Sequence, residues 1–293
     1  RFFKGYAAMV REYDEAGLVA DESYFGESGE PVLCDKGYHR IVRTWQDKNH
    51  ATSEAWYYTD GKPVALNDTY VKIEREFDEA GNTAAERYYG WDGKQTACKD
   101  GYDEIRRQFN ENGQAIRIEY YLNGSLIMLP DGYAIKLREY DEKGLIAVES
   151  YFNDAEEPVL CRSGYHKIDR TWLDNKHATS EAWFDTDGQP MVLNDTYVKI
   201  EREFDEAGNI AVERYYGADG NPIACKDRYD EIRRQFNENG RAIRIEYYLN
   251  GSLTMLPDGY AIKLREYDEN GLVTVERYFN DAEEPVLCRS GNR

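Results

Sequence analysis

The stretch VREYDEAGLVADESYF, residues 10–25, joins two runs of alternating side chains through a central DEAG turn. Aromatic and β-branched residues recur in both runs, and Gly17 ends the turn, where glycine readily adopts positive φ. Alternation on both sides of such a turn is typical of a β-hairpin. Because helical spacing is absent, the stretch predicts two antiparallel strands.

This hairpin pattern recurs along all 293 residues with a period of 32 residues, or 31 in two places. A longer period of 127 residues groups the repeats in fours. Periods of this size indicate a tandem array in which neighbouring repeats share one core. The predicted repeats span residues 5–36, 37–68, 69–100, 101–131, 132–163, 164–195, 196–227, 228–258 and 259–290.

The fold class follows from the repeat. We predict an all-β chain in which residues 1–293 form a single repeat domain. This domain is expected to be an elongated, solenoid-like array of nine β-hairpins, and a superhelical arrangement of the hairpins is compatible with the repeat. A closed propeller is less favoured because 32 residues are short for a four-stranded blade. The short apolar run PVLC, residues 31–34, is expected to add a third short strand or a bridge between neighbours.

The strand register can be predicted from the turn. Counting from the first residue of a repeat, a four-residue turn at positions ten to thirteen places position nine opposite fourteen, seven opposite sixteen and two opposite twenty-one. The constant Tyr at position two, such as Tyr6, should then face the aromatic residue at twenty-one, such as Phe25. Asn49 replaces the turn glycine in repeat two and is expected to share its positive φ, whereas Asn175 and Lys176 predict a slightly different turn in repeat six.

An arginine at position seven occurs in every repeat, and a glutamate at position eighteen lies diagonal to it in seven repeats. The arginines could form an anion-binding stripe, but the acidic chain favours a structural ladder of ion pairs. Repeats four and eight carry Ile118 and Ile245 at position eighteen, so Arg107 and Arg234 need other partners. The predicted ladder comprises Arg11, Glu22, Arg43, Glu54, Arg75, Glu86, Arg138, Glu149, Arg170, Glu181, Arg202, Glu213, Arg265 and Glu276.

The net charge of −19 and the isoelectric point near 4.7 disfavour nucleic acid, anionic membranes and polyphosphates as direct partners, because each would be repelled. No apolar run approaches the roughly 20 residues needed to span a bilayer, so no direct membrane insertion is expected. The chain begins at Arg1 within a repeat, and we expect it to be a fragment or a processed product of a longer protein. The sequence does not specify the cellular compartment of the protein.

The cysteines and histidines follow the repeat and do not form a metal motif. All five Cys (Cys34, Cys98, Cys161, Cys225 and Cys288) occupy position thirty, and the other repeats carry Leu66, Leu129, Leu193 and Leu256 in the matching place. Alternation of Cys with Leu predicts small buried apolar sites rather than disulfides or metal ligands. No catalytic motif stands out, and we expect a chain without catalytic residues, metal or cofactor.

Most aromatic residues belong to the repeat: 36 of 40 occupy positions two, nine, twenty and twenty-one. They are interpreted either as core or as rows that stack on the sugar rings of a polymer. Tyr58 and Trp91 lie outside the pattern, in the second turn of their repeats. Packing within the repeat does not explain an aromatic residue at these places. The candidate glycan contacts are Tyr58, Trp91, Trp45, Trp56, Trp172 and Trp183.

The repeat GYAIKLREYDENGLVTVERYFNDAEEPVLC, residues 259–288, resembles the 32-residue GYA..REYDExGN..YY..GKPV repeats of Firmicutes. Such repeats accompany glycerophosphotransferases of the teichoic-acid type and surface proteins, and the REYDExG core is distantly similar to the YD repeats of RHS proteins. The resemblance covers the whole chain. It implies an accessory domain of a bacterial protein at the cell surface or the cytoplasmic face of the membrane, and it transfers no catalytic residues.

Two functional hypotheses remain at this stage. The first is a non-catalytic module that binds carbohydrate, a polysaccharide or a wall glycopolymer, through aromatic side chains. The second is a structural spacer or protein-interaction scaffold without a small ligand, with a neighbouring catalytic domain of the same chain as its partner. An enzyme is the least favoured reading because no nucleophile, acid–base pair or phosphate loop is recognisable.

Overall fold

The computed structural model of the chain describes residues 5–65, 69–192 and 196–289. The predicted leucine sites Leu66 and Leu193 lie outside these residues. Within the described ranges the structure contains twenty β-strands and no helix, which confirms the prediction of an all-β chain built from tandem hairpins. No helix in these ranges is therefore long and apolar enough to cross a membrane.

The strands are short, six to eight residues in each hairpin. Hairpins 1 to 9 are the strand pairs β1–β2, β3–β4, β5–β6, β7–β8, β10–β11, β12–β13, β14–β15, β16–β17 and β19–β20. The strands span β1 Ala8–Tyr13, β2 Val19–Phe25, β3 Arg40–Asp47, β4 His50–Tyr57, β5 Lys72–Phe77, β6 Thr83–Tyr89, β7 Glu104–Phe109, β8 Ala115–Leu122, β9 Ser125–Leu126, β10 Ile135–Tyr140, β11 Ile146–Phe152, β12 Lys167–Trp172, β13 Ala178–Phe184, β14 Lys199–Phe204, β15 Ile210–Tyr216, β16 Glu231–Phe236, β17 Ala242–Leu249, β18 Ser252–Leu253, β19 Ile262–Tyr267 and β20 Val273–Phe279.

The chain forms two compact units, Arg1–Arg138 with Tyr151–Arg162, and Glu139–Ser150 with Ser163–Arg293. In each unit the second strand of one hairpin pairs antiparallel with the first strand of the next. In the first unit, for example, β2 pairs with β3 through Glu22 and Ile41. In the second, β13 pairs with β14 through Glu181 and Ile200.

The strand register differs from the prediction by two residues. Arg11 pairs directly with Glu22, whereas the predicted partner was Ala20. One residue of the shift comes from the turn, because the Asp14 N–H donates to the Leu18 carbonyl at 2.9 Å and only three residues separate them. The other comes from a β-bulge at Ala20, since Tyr13 pairs with Val19 while Glu12 pairs with Asp21. The bulge therefore turns a diagonal Arg–Glu contact into a direct cross-strand pair.

Gly17 closes this turn as the sequence predicts. Its φ of 78° allows its N–H to donate to the Asp14 carbonyl at 3.0 Å, and the Asp14 carboxylate accepts the N–H groups of Ala16 and Leu18. The prediction for Asn49 is wrong, because Asn49 is not among the residues with positive φ. In hairpin 2, Asp47 pairs with His50 across a two-residue loop, and the Asp47 carboxylate accepts the Asn49 and His50 N–H groups instead.

The segment after each hairpin folds back along it. The Val32 N–H donates to the Tyr24 carbonyl at 3.1 Å, and Pro31 forms an isolated bridge with Phe25. In hairpin 4 the same segment forms the two-residue strand β9, which pairs with β8. The predicted third short strand is therefore found in hairpins 4 and 8, whereas the bridges seen elsewhere join the segment to its own hairpin and not, as predicted, to a neighbouring one.

One face of each hairpin, called here the core face, carries positions five, seven, eighteen and twenty, and the back-folded segment covers part of it. Ile41 and Trp56 of hairpin 2 pair on this face and are 2% and 6% exposed. They pack with Tyr24, Cys34 and Tyr38. In the second unit an equivalent cluster is built from Ile168, Trp183, Tyr197, Ile200, Tyr215, Tyr229, Ile232, Ile245, Leu256 and Tyr260.

A row of tyrosine rings extends through this core. Tyr6 contacts Tyr24 of its own hairpin with ring centroids 4.7 Å apart, and Tyr24 contacts Tyr38 of the next hairpin at 5.9 Å. The predicted pairing of position two with position twenty-one is therefore wrong, because Phe25 pairs with Ala8 and the Tyr6 ring lies against Tyr24. Tilted contacts between aromatic rings add to the stabilisation from burial alone.

Candidate functional site

Four of the six candidate glycan contacts have structural roles. Trp56 and Trp183 are 6% and 7% exposed and pack in the core, although Trp183 also lines the cleft between hairpins 6 and 7 that is described below. Trp45 is half-buried, and its Nε1–H donates to the Val19 carbonyl of the preceding hairpin at 2.9 Å. Trp172 makes the equivalent bond to the Ile146 carbonyl at 2.8 Å. Each of these two indoles therefore joins neighbouring hairpins.

Tyr58 and Trp91 remain on the surface, with 40% and 59% of their area exposed. Both belong to the turn that follows the second strand of a hairpin, at Tyr58 to Lys62 and at Gly90 to Lys94. Neither ring is used by the core. The side chains of these two candidates are therefore accessible to a ligand.

A cleft of about 270 Å³ opens on the opposite face, where hairpins 6 and 7 meet. Phe184, Pro190 and Tyr216 provide its apolar walls, and Lys199 and Glu201 provide its polar groups. The Lys199 ammonium lies 2.6 Å from the Glu201 carboxylate and 5.4 Å from the centre of the Tyr216 ring. Burial, and then a hydrogen bond to Glu201, raise the pKa of Tyr216, so this hydroxyl stays protonated as a donor.

Hairpins 2 and 3 carry the same set of residues 127 positions earlier, with Tyr57 in place of Phe184 and Trp91 in place of Ala218 on the rim. The Lys72 ammonium is 2.5 Å from Glu74, and the Tyr89 hydroxyl donates to Glu74 at 2.7 Å. Burial and this hydrogen bond raise the pKa of Tyr89 to about 12. The first copy therefore repeats the polar arrangement of the second and adds an exposed indole.

Cations over aromatic rings recur on the same face and were not predicted from the sequence. The Arg106 guanidinium lies 4.1 Å from the centre of the Tyr121 ring, and the Lys167 ammonium lies 4.3 Å from that of Phe184. The sequence signal for such a pair is a basic residue at position four or six in a repeat that also carries an aromatic residue at position twenty-one. The observed register is needed to bring these two positions together.

An arginine-rich cavity of about 520 Å³ lies on this face between hairpins 3 and 4, over Ala85. Arg107 is one of the four arginines that line it, and the other three, Arg87, Arg106 and Arg117, are bonded to carboxylates. Their ion pairs are Arg87–Glu76, Arg87–Glu104, Arg106–Glu104, Arg117–Glu119 and Arg117–Glu156.

On the core face the predicted arginines and glutamates form ion pairs within their hairpins. The pairs are Arg11–Glu22 at 2.6 Å, Arg43–Glu54 at 3.1 Å, Arg75–Glu86 at 2.9 Å, Arg170–Glu181 at 3.2 Å, Arg202–Glu213 at 3.0 Å and Arg265–Glu276 at 2.8 Å. Arg138 and Glu149 belong to different compact units, and their pairing stays a prediction.

The ladder also joins neighbouring hairpins. Arg75 bonds to Glu54 at 2.9 Å, and Arg202 bonds to Glu181 at 2.7 Å. Burial alone would raise the pKa of Glu54, but hydrogen bonds from Arg75 and Arg43 outweigh burial and hold that pKa below its ordinary value. Each such glutamate is therefore ionised and shared by two arginines.

Tyrosines at position twenty complete this network. The Tyr88 hydroxyl donates to Glu86 at 2.5 Å, and the Tyr24 hydroxyl donates to Glu22. Burial and the hydrogen bond both raise the pKa of Tyr88. The core face thus combines Arg, Glu and Tyr in one half-buried polar network beside the apolar core.

The cysteines are all free thiols. Cys34 and Cys161 are buried, at 7% and 8% exposure, and the other three are half-buried. His50 and His177 bond to Asp47 and Asp174 in their own turns. In residues 5–65, 69–192 and 196–289 no three His, Cys, Asp or Glu side chains are grouped in a way that could hold a metal ion.

The comparisons with known proteins identify no family. No protein-family profile and no curated protein matches the chain. Among solved structures, the crystal structure of TcdB2-TccC3-TEV resembles 96% of this chain at 12% identity with a TM-score of 0.33, and this chain spans 15% of that one. TcdB2-TccC3-Cdc42 is similar over 95% of this chain at 12% identity with a TM-score of 0.31, and 16% of that chain is covered. Similarity at this level carries no conclusion about function.

Proposed function

We propose that the chain is a non-catalytic repeat module that binds carbohydrate on the face opposite the core. The observation that carries this proposal is the cleft between hairpins 6 and 7, together with its counterpart in hairpins 2 and 3, where Trp91 is 59% exposed. The apolar face of a sugar ring stacks on aromatic side chains, while its hydroxyls bond to nearby charged groups. Tyr89, Trp91, Lys72 and Glu74 provide this combination.

A polymer suits the arrangement because the residues that line this cleft recur 127 positions earlier in the chain. Two weak sites on one chain raise the apparent affinity for a ligand that carries many identical sugars. The net charge of −19 favours a neutral glycan over a polyanion. We further propose that the module belongs to a larger bacterial protein associated with the cell surface or the wall polymer, as the repeat resemblance implies.

Affinity electrophoresis through gels that contain neutral polysaccharides tests this proposal. We expect the wild-type chain to be retarded by at least one polymer, and Trp91→Ala to weaken the interaction about five- to tenfold, in line with the loss of one stacking contact. Tyr58→Ala should have a smaller effect, because Tyr58 lies in the turn beside Tyr57. Ala218→Trp should strengthen binding, since it gives the second cleft the indole of the first.

The matched control is Tyr13→Ala, which removes an exposed aromatic side chain that lies outside both clefts. Its mobility should equal that of the wild type. Equal retardation of wild type, Trp91→Ala and Ala218→Trp would contradict the cleft assignment.

The second candidate function is a spacer or interaction scaffold. It is favoured by a specific observation, namely that Trp45, Trp56, Trp172 and Trp183 all hold the array together. If no polysaccharide retards the wild-type chain, the scaffold becomes the better proposal.

A further inference from the structure

The arginine-rich cavity between hairpins 3 and 4 adjoins the proposed glycan-binding residues of hairpin 3. Glu74, one of those residues, pairs across the strands with Arg87, and Arg87 lines the cavity. Arg87 pairs in turn with Glu104 of hairpin 4. Cross-strand partners lie about 5 Å apart on the same face of a sheet. The glycan-binding residues and the cavity therefore form one continuous polar surface.

A small residue makes room for the cavity. Ala85 pairs with Glu76 on one side and with Arg106 on the other, so a single methyl group lies between two long side chains. The resulting volume is about 520 Å³. Hairpin 7 carries Val212 at the same place, between the same two residue types. The larger side chain narrows the corresponding space in the second copy.

The walls of the cavity contain both hydrogen-bond donors and acceptors. Arg106 bonds to Glu104 at 2.8 Å, and Arg117 bonds to Glu119 at 2.6 Å, each through Nε. A guanidinium has five N–H donors and a carboxylate has about four acceptor sites, so these pairs leave part of their hydrogen-bonding capacity unused. A sugar hydroxyl both donates and accepts, so it bridges such a pair without breaking it. An anion would have to displace a glutamate.

Glu156 of hairpin 5 reaches this wall from a backbone conformation that glutamate rarely adopts. Its φ is 62°, and its carboxylate lies 3.1 Å from Arg117. Glu283 repeats the arrangement with a φ of 60° and a distance of 3.2 Å to Arg244. In five other repeats glycine occupies the same place, namely Gly29, Gly61, Gly93, Gly188 and Gly220.

The strain at Glu156 is not explained by stability. Its side chain is 62% exposed, and an exposed ion pair adds little to the free energy of unfolding. Backbone strain of this kind is concentrated at functional sites. The strained turn therefore indicates a role for the Glu156 carboxylate in ligand binding.

We propose that the glycan site extends from Trp91 and Tyr89 into this cavity and holds at least about three consecutive neutral sugars, since a cavity of this volume takes about two sugar rings. The first sugar lies against the aromatic side chains. The next two place hydroxyls against Arg87 and Arg117 and their glutamates. The inference rests on the proposed carbohydrate binding and adds the length of the site. Val212 makes the second copy recognise a shorter ligand.

Titration calorimetry of the full chain with cello-, laminari- and malto-oligosaccharides of two to six sugars tests the length of the site. In at least one series we expect the trisaccharide to bind about tenfold more tightly than the disaccharide, because its added hydroxyls reach the cavity. If no series binds, both this inference and the proposed function are wrong. Binding without a dependence on length contradicts the inference alone. Glucuronate that binds more tightly than the trisaccharide would overturn the assignment to neutral sugars.

The sharpest variant is Ala85→Val, which gives the cavity the residue that hairpin 7 carries at the same place and should therefore fold. It should remove the tenfold gain of the trisaccharide and leave disaccharide binding unchanged, whereas Trp91→Ala should weaken both. The reverse change, Val212→Ala, should raise the number of tight trisaccharide sites from one to about two. Wild-type trisaccharide binding in folded Ala85→Val would overturn the inference and leave the proposed function standing.

Glu156→Gly separates a role in binding from a structural one. Glycine adopts the observed φ without strain, so the melting temperature should stay equal or rise. Trisaccharide binding should nevertheless weaken about threefold or more, because an acceptor is lost. The matched control is Glu283→Gly in the second copy, which should behave like the wild type in binding. A lower melting temperature with unchanged trisaccharide binding in Glu156→Gly would make the residue structural and contradict its role here.

Discussion

Hairpins 3 and 4 are neighbours with nearly the same backbone, yet they fill the same place on the core face in opposite ways. Glu86 of hairpin 3 faces Ile105, and Ile118 of hairpin 4 faces Lys136. Ile105 is on the strand that follows its junction, and Ile118 is on the strand that precedes its junction. Both are nevertheless buried, at 5% and 7% exposure. Each junction therefore needs one apolar and one charged residue, but the sign of the charge and the strand that carries it can change.

The difference also separates two kinds of polar surface. Where glutamate occupies position eighteen, arginine, glutamate and tyrosine satisfy one another, so that surface is structural. Where isoleucine occupies it, in hairpins 4 and 8, the arginine lacks a glutamate opposite it in its own hairpin, and Arg234 instead lies 3.8 Å from Glu213 of the preceding hairpin. The regular ladder is thus changed at this position in every fourth repeat.

The largest expected effect concerns the two isoleucines. Ile105→Ala and Ile118→Ala should each reduce the free energy of unfolding by about 2–4 kcal/mol, because each opens a cavity in the core. Lys136→Ala should cost less than about 1 kcal/mol, since the lysine is only half-buried and its loss leaves no comparable cavity. Urea unfolding followed by circular dichroism measures all three. A cost for Ile118→Ala as small as that for Lys136→Ala would contradict the assignment of Ile118 to the core.

A smaller effect is expected from the charged side of the junction. Glu86→Ile removes a partner of Arg75 and the acceptor of the Tyr88 hydroxyl, and we expect a loss of about 1–3 kcal/mol in the free energy of unfolding. The matched control is Glu76→Gln on the opposite face, where the side chain is 63% exposed and the loss should stay below about 1 kcal/mol. The same urea experiment applies, and equal losses for the two variants would show that the ladder adds no stability beyond a surface ion pair.

The third prediction concerns acid. The pKa values of Glu54 and Glu181 are lower in the folded chain than their ordinary value of 4.5, so unfolding is accompanied by proton uptake below that pH. Their contribution to stability is therefore complete above about pH 4.5 and is lost as the pH falls through the lowered pKa values. Urea midpoints measured between about pH 3 and 7 should fall on the acid side, and Glu54→Gln with Glu181→Gln should flatten that fall. An unchanged slope in this variant would assign the acid sensitivity to other carboxylates.

The candidate site was only partly predictable. The exposed positions of Tyr58 and Trp91 follow from their placement outside the aromatic pattern, and the structure leaves both on the surface. The roles of Trp56 and Trp45 could not be predicted from the sequence. Trp56 packs into the core, whereas Trp45 donates its indole N–H to the Val19 carbonyl of the preceding hairpin. The need of Arg107 for a new partner was visible in the sequence as Ile118. That no partner is supplied within the described residues is a tertiary fact.

Local sequence is sufficient to predict the all-β class, the tandem hairpins, the Gly17 turn and the pairing of arginine with glutamate, because these depend on local turn chemistry and a two-residue alternation. The tertiary structure decided the register, because the bulge at Ala20 and the three-residue turn each move the pairing by one residue without altering the alternation. That shift turned diagonal contacts into direct pairs and joined the tyrosines into one row. It also decided which aromatic rings are buried, since burial depends on the neighbouring hairpin and the back-folded segment as much as on the repeat itself.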